Sequence, residues 1–252
     1  MASAIISACK EQDFNIKGSE INSEIAKSAS EKLKIEVITD NKELVKQSDI
    51  IFIATKPNQV EEVLKEIKEY ITPDKLLVSI AAGVKISKIK NILNNAKIIR
   101  IMPNTPALVK QGMFGICADE SANIQDMDLI ENLLSNIGRC IKVQENQMDI
   151  VTAISGSGPA FFYQIIEDMA RAGEKLGLDY EKSLTLATQT ALGSALMVFS
   201  KGETPLQTLI DNVATKGGCT FVGIQKMKTG KSDELFYNII KETTDKACEL
   251  GK

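Results

Sequence analysis

The chain has 252 residues, a net charge of −3, 44% apolar and 25% charged side chains, and no histidine. That length buries a full core, and the composition is ordinary for a globular protein. The acidic balance argues against a surface that tracks nucleic-acid phosphates, and no apolar run approaches the roughly 18 to 20 residues of a membrane span.

The first ten residues, MASAIISACK, place Met1, Ala4, Ile5 and Ala8 at helical spacing, with no strand or turn ahead of them. A short apolar unit follows at Phe14 to Ile16, with a strand expected to end near Ser19 and Glu20. Continuous β-branched runs at 49–55, 75–81, 97–102 and 139–143 read as strands buried on both faces of a parallel sheet. Between them, 22–33, 57–71 and 124–138 are amphipathic helices; in the second, Val60, Val63, Leu64, Ile67 and Ile71 share one face. Strand–helix alternation predicts a doubly wound sheet.

Beyond residue 147 the strands stop. Pro159 opens an expected helix, Asp179 caps the stretch 180–199, Thr204–Pro205 starts another, and Ser232 starts the last, through Leu250. The long helix 180–199 is apolar on more than one face, which predicts a subunit interface. The expectation is an α/β dinucleotide-binding domain over 1–146 and an all-helical substrate and dimerisation domain over 147–252. The cysteines Cys9, Cys117, Cys140, Cys219 and Cys248 are odd in number and form no C-x-x-C pair, so neither a disulfide framework nor a zinc site is expected. With no basic stretch leading an apolar one at the N-terminus, a reducing cytoplasm is the expected location, with no metal, no nucleic acid and no membrane partner. Without imidazole, any proton transfer must use a hydroxyl, a lysine, a carboxyl group or the substrate's own proton.

A dinucleotide fingerprint runs G-x-G-x-x-[GA] from a strand into a helix, and Ala2 stands where its last small residue would be. Ser19 and Glu20 then fall about 20 residues on, the offset of the ribose contact. Two readings fit: a fingerprint lacking its first half, or a terminal helix of an unrelated α/β fold. Four further stretches carry candidate chemistry. ATKPNQV and RIMPNTPALVKQG follow strands, at the edge where such sheets bind ligands; each is equally a turn. ISGSGPAFF places Ser155–Gly158 before a helix, where unbonded N–H groups would take an anion or where a serine merely caps. NVATKGGCTF sets Gly217 and Gly218 before Cys219 and Thr220, as an anion nest or as a plain helix break.

Taken in order, SDIIFIATKP, VSIAAGV, IIRIMPNTPALV, VTAISGSGPAFFY and DNVATKGGCT closely resemble the pyrroline-5-carboxylate reductases along nearly the whole chain. The resemblance implies a Rossmann-like N-terminal domain, here without its first strand, and a helical domain that interleaves with a partner in a homodimer or a larger oligomer. It implies reduction of 1-pyrroline-5-carboxylate to L-proline by NADH or NADPH. It puts cofactor contacts at Ser19, Asn41, Ala54, Thr55, Lys56, Pro57, Ala81 and Ala82, joining Ala2 and Glu20. It puts substrate contacts at Glu145, Asn212, Val213, Gly217, Gly218, Cys219 and Thr220, with Thr220 beside the ring nitrogen as the catalytic position.

Two departures from the family pattern stand out. The first strand and glycine turn have no counterpart here, which would strip the pyrophosphate of its backbone cradle and leave the neighbouring strands with bare edges. Lys216 also stands where the family has the proline of S-P-G-G-x-T. Glu20 would repel a 2′-phosphate, so the reading leans to NADH. The alternative is an impaired remnant that assembles through its helices and binds no cofactor.

Overall fold

The computed structural model describes residues 1–12 and 14–251. The chain divides into two compact units, one of residues 1–157 with 242–252 and one of residues 158–241. The break thus falls later than the expected boundary at 146, and the end of the last helix belongs with the first unit.

The first unit holds α1 (Ala2–Lys10), β1 (Lys17–Ser19), α2 (Ser23–Leu33), β2 (Glu36–Ile38), α3 (Asn41–Lys46), β3 (Ile50–Ile53) and α4 (Val60–Ile67). It continues through β4 (Leu76–Ser79), α5 (Ile86–Lys90), β5 (Lys97–Met102), β6 (Gly112–Ala118), α6 (Ile124–Ser135), β7 (Gly138–Lys142) and α7 (Met148–Val151). The strands form two separate sheets, β1-β2 and β3-β4-β5-β6-β7. Alternate residues of the larger sheet feed two cores. Ile51, Leu77 and Ile98 pack under α3, α4 and α5, while Leu76, Val78, Ile99 and Ile101 pack under α1 and α6. Burial on both faces is why these runs read as continuous apolar sequence.

The structure corrects several expectations. The sheet is mixed: β6 runs antiparallel to β5, pairing Arg100 with Cys117 and Ile101 with Ile116. Sequence reading passed over β6 because Gly112 and Gly115 dilute its strand signal. Both glycines serve close approach: a Cβ on Gly112 would strike Ala107 and the Ile137 carbonyl, and one on Gly115 would strike Val151. The run at 139–143 is a solvent-facing edge strand rather than a doubly buried one, with Arg139, Ile141 and Lys142 exposed. β2 was not expected at all, being three residues with Glu36 exposed. The helix expected over 57–71 is α4 flanked by 3-10 turns at Pro57–Gln59 and Lys68–Tyr70.

Local capping follows the side chains. Asn22, Asp40 and Asn123 accept first-turn N–H bonds of α2, α3 and α6. Asp119, after β6, ties three elements: it accepts from Ile98 N–H at 2.9 Å and Ser121 Oγ at 2.7 Å, and pairs with Lys90 at 2.5 Å. Burial pushes its carboxyl up, but the bonds from Lys90, Ser121 and the Ile98 amide outweigh that and hold it below the usual carboxylate range. A depressed folded pKa means stability that is present above the unfolded pKa, about 3.9, and lost as pH falls through the folded one. Asp119→Asn is therefore expected to cost about 2 kcal/mol at pH 7. In melting curves taken across pH, the gap between the two proteins should close below about pH 4.

The second unit contains α8 (Gly158–Lys175), α9 (Tyr180–Ser200), α10 (Leu206–Val213), α11 (Cys219–Thr229) and most of α12 (Ser232–Leu250), whose last turns return to the first unit. Asp179 caps α9 as expected, accepting from Lys182 N–H. Only Ser183 and Ala187 of α9 are buried in the single chain, while Leu192, Leu196 and Phe199 stand more than half exposed.

Candidate functional site

In the first unit, a cavity of about 520 Å³ opens where β1 and β3 end. Ala2, Ser19, Glu20, Asn41, Ala54, Thr55 and Lys56 all line it, so most of the expected cofactor positions meet around one space. Pro57, Ala81 and Ala82 are not part of that lining. Pro57 opens the exposed 3-10 turn that leads into α4, and Ala81 and Ala82 lie in the loop after β4.

Side chains on the rim are already ordered. Ser19 Oγ donates to Asn41 Oδ1 at 2.5 Å, and Asn41 Nδ2 donates to Glu66 at 2.8 Å. Glu20 accepts from Asn22 N–H at 3.1 Å, which turns its carboxylate towards the start of α2. The first turn of α1 faces the cavity through Ala2, and no side chain caps it. Hydroxyl, amide and carboxylate groups at strand ends suit ribose hydroxyls, and an uncapped helix start suits a phosphate. The residues present therefore fit a dinucleotide at the rim. Below the rim the lining turns apolar, with Ile5, Cys9, Ile16, Val37, Ile51 and Ile53. Burial there pushes the Cys9 thiol up to about 11.

Glu145 sits in the 3-10 turn before α7. Its Oε1 accepts from the Ile86 N–H that opens α5 and from Arg100 Nη1 at 3.4 Å. Arg100 is 2% exposed on β5, and its other nitrogen faces Asp149 at 4.0 Å. Glu145 thus neutralises a buried guanidinium and fixes a helix start. No local pattern marks Arg100 as functional, since it is a lone cation inside the apolar strand KIIRIM.

The anion site expected from unbonded N–H groups at Ser155–Gly158 is not formed in that way. Residues Thr152–Gly156 make a π-turn between α7 and α8, and the Ser157 N–H is spent on the Thr152 carbonyl at 2.8 Å. The turn instead meets the proline-rich loop after β5. Asn104 accepts from Met113 N–H at 2.9 Å and donates to Ser155 Oγ at 3.3 Å.

The second unit holds the remaining substrate positions. Asn212 and Val213 end α10 and are exposed. Gly217 has φ +85°, a left-handed position that favours glycine, and the Gly218 N–H closes the turn onto the Thr215 carbonyl at 2.9 Å. Gly218 is then the N-cap of α11, with no side-chain cap. The N–H groups of Cys219 and Thr220 stand in the first turn, where the helix offers them no partner. Cys219 is exposed and Thr220 half-buried.

Comparison with known proteins extends this geometry. Residues 145–250 match the family model described as pyrroline-5-carboxylate reductase dimerisation, and residues 1–83 match one described as NADP oxidoreductase, coenzyme F420-dependent. A pyrroline-5-carboxylate reductase of Methanosarcina acetivorans is 37% identical over 94% of this chain and 88% of its own. The chain belongs to the pyrroline-5-carboxylate reductase family. A solved reductase of this family from Coxiella burnetii covers all of the chain and 95% of its own length at a TM-score of 0.92 and 31% identity. A Plasmodium falciparum pyrroline carboxylate reductase, solved with NADP bound, covers 99% and 94% at a TM-score of 0.86 and 32% identity. The reductase family's combination of an α/β dinucleotide unit and a helical dimerisation unit is the fold observed, and nothing in these relatives supports the reading as a remnant. Among the described residues no helix is long and apolar enough to cross a membrane, and no acidic, thiol or imidazole cluster could hold a metal.

Proposed function

We propose that this chain reduces the C=N bond of 1-pyrroline-5-carboxylate to give L-proline, with a nicotinamide dinucleotide as the hydride source. Family membership supplies the reaction class. The observation in the structure that supports the substrate is the turn Gly217–Thr220, an uncapped helix start with a hydroxyl in its first turn. The cofactor would be held at the rim by the Ser19–Asn41 pair, by Ala54–Lys56 and by the first turn of α1 at Ala2, while Pro57, Ala81 and Ala82 rest on the family resemblance alone. Bound there, it supplies the hydride.

The chain's own residues do the rest. The amide groups of Cys219 and Thr220 form the positive end of α11, which attracts the substrate carboxylate. Asn212 and Val213, ending the preceding helix, border the ring. The Thr220 hydroxyl accepts from the N–H of the protonated ring nitrogen and can donate to the lone pair that forms there as hydride reaches the C=N carbon and the positive charge is lost. A cyclic imine arrives already protonated, so no histidine is needed, and the protein's main contribution is alignment. Glu145 has one carboxylate oxygen committed to Arg100 and the Ile86 amide, and its place among the substrate contacts rests on the family resemblance alone. The exposed apolar residues of α9 form the homodimer contact, and larger assemblies build on that dimer. Desolvation pushes the thiols of buried Cys117 and half-buried Cys140 up to about 11, which leaves little thiolate at neutral pH.

Oxidation of NADH and NADPH with 1-pyrroline-5-carboxylate, against the six-membered piperideine carboxylate, tests the proposal. Turnover with the five-membered ring, at least about tenfold better in kcat/KM than with the larger one, is expected. Absence of turnover from folded dimer with either cofactor overturns the proposal. Glu20 sets the cofactor preference: NADH should give the higher kcat/KM, and Glu20→Gln should move the ratio towards NADPH. Equal or better kcat/KM with NADPH in the parent protein removes the argument from Glu20.

A further inference from the structure

The turn after β4 is closely covered for a loop. Ala81 and Val84 sink into the core under α3, α4 and α5, and Gly83 between them is buried, which leaves Ala82 half-buried and Lys85 exposed. Loops commonly run over the surface, because buried backbone groups need partners. Here two distant segments supply the cover. Glu145 accepts from the Ile86 N–H at the far end of the turn, and the end of α12 lies against Gly83 in its middle. A Cβ on Gly83 would stand 3.1 Å from the Gly251 nitrogen, 3.2 Å from its Cα and 3.3 Å from the Leu250 carbonyl carbon. A Cβ on Gly251 would stand 2.5 Å from the Gly83 carbonyl oxygen.

Gly83 has to be glycine on two counts, since its φ of +76° is also left-handed. Gly251 has to be glycine on one. A glycine just past a helix commonly ends it with a left-handed residue, but the φ of Gly251 lies outside that range. What excludes a side chain there is the backbone of Gly83. The same face of α12 carries Ala247, four residues back and 7% exposed, while Glu249 and Leu250 are open to solvent. α12 runs unbroken from Ser232 to Leu250; it starts in the second unit, and its residues from 242 onward belong with the first. We propose that the end of α12 is a brace for the loop after β4, and that Gly251, seated on Gly83, is a positioning residue for the dinucleotide cofactor.

A turn built on a left-handed glycine has more freedom to lose than any other, so an unbraced loop would have to be ordered at the moment of binding. Braced beforehand, it presents Ala82 in one arrangement, and the cofactor is spared that cost. This consequence rests on the proposed function, in which Ala81 and Ala82 meet the cofactor; the brace itself does not.

Gly251→Val, made in the whole chain, tests the brace by driving a branched side chain into Gly83. Leu250→Ala is its control, because Leu250 shares the last turn and is 69% exposed. Hydrogen exchange read by mass spectrometry should quicken roughly tenfold in the 80–86 segment of Gly251→Val and keep the parent rate in Leu250→Ala. NADH affinity, read by its fluorescence without turnover, should weaken about fivefold, with the smaller Gly251→Ala falling between. The kcat and the KM for 1-pyrroline-5-carboxylate should change less than about twofold, a split that general loss of structure would not give. Unchanged exchange at 80–86, faster exchange with unchanged NADH affinity, or an equal effect from Leu250→Ala would each overturn the proposal. Failure of the parent protein to bind NADH defeats the cofactor reading and the positioning role with it, while exchange at 80–86 still decides the brace.

Discussion

Thr220→Ala is expected to lower kcat/KM for 1-pyrroline-5-carboxylate by about a hundredfold, with most of the loss in kcat. The threonine stands in the first turn of α11, just after the Gly217–Gly218 turn that sets the helix start. Its hydroxyl is the side-chain hydrogen-bonding group that this turn can offer to a ring nitrogen, accepting from the protonated imine and donating to the amine lone pair that forms as the bond is reduced. Removal of one such donor typically costs about 10²–10³ in rate, which is about 2.7–4 kcal/mol of barrier. The fold should hardly notice, because a half-buried threonine on a first turn carries little packing, and the stability should stay within about 0.5 kcal/mol of the parent protein's. Thr220→Ser keeps the hydroxyl and should recover most of the rate. Steady-state kinetics on the three proteins decide the matter: full kcat and KM in Thr220→Ala would remove the threonine from the chemistry.

The second large effect is on stability. Glu145→Ala is expected to destabilise the first unit by about 3 kcal/mol, near the low end for breaking a buried ion pair because the Glu145 side chain keeps 32% of its exposure. The cost arises on Arg100. Its guanidinium, 2% exposed on β5, would retain only Asp149 at 4.0 Å, and the Ile86 N–H at the start of α5 would lose its acceptor. At about 2–4 °C per kcal/mol for a chain of this size, the melting temperature should fall by about 6–12 °C. Glu145→Gln retains an acceptor for Ile86 and should lose less. Replacing both partners, as Arg100→Met with Glu145→Gln, removes the stranded charge and should be milder than Glu145→Ala alone. Thermal and urea unfolding of these variants measure the pair. A rise in KM for the substrate without loss of stability would instead assign Glu145 to the ligand and leave Arg100 to Asp149.

Much of this protein is written in its sequence. Continuous β-branched runs at 49–55, 75–81 and 97–102 have one reading, strands covered on both faces, and β3, β4 and β5 are those strands. Asp179 announces a helix start that the structure confirms, because capping is a local hydrogen bond between neighbours. The ordered motifs from SDIIFIATKP to DNVATKGGCT carried the family, since each preserves a turn whose geometry demands those residues.

What only the tertiary structure decided depends on partners far apart in the chain. The direction of β6 is set by its pairing with β5 and by close contacts at Gly112 and Gly115, which no local propensity encodes. Arg100 is tolerable inside a strand only because Glu145 and Asp149, more than forty residues on, come back to meet it. The Ser155 stretch reads as a helix start, yet becomes a π-turn because α7 runs into α8 without a break, and its serine answers Asn104 instead. The cavity that gathers Ser19, Asn41 and Ala54 appears in no stretch of sequence either, because it exists only once strand ends separated by two helices and a strand border one space.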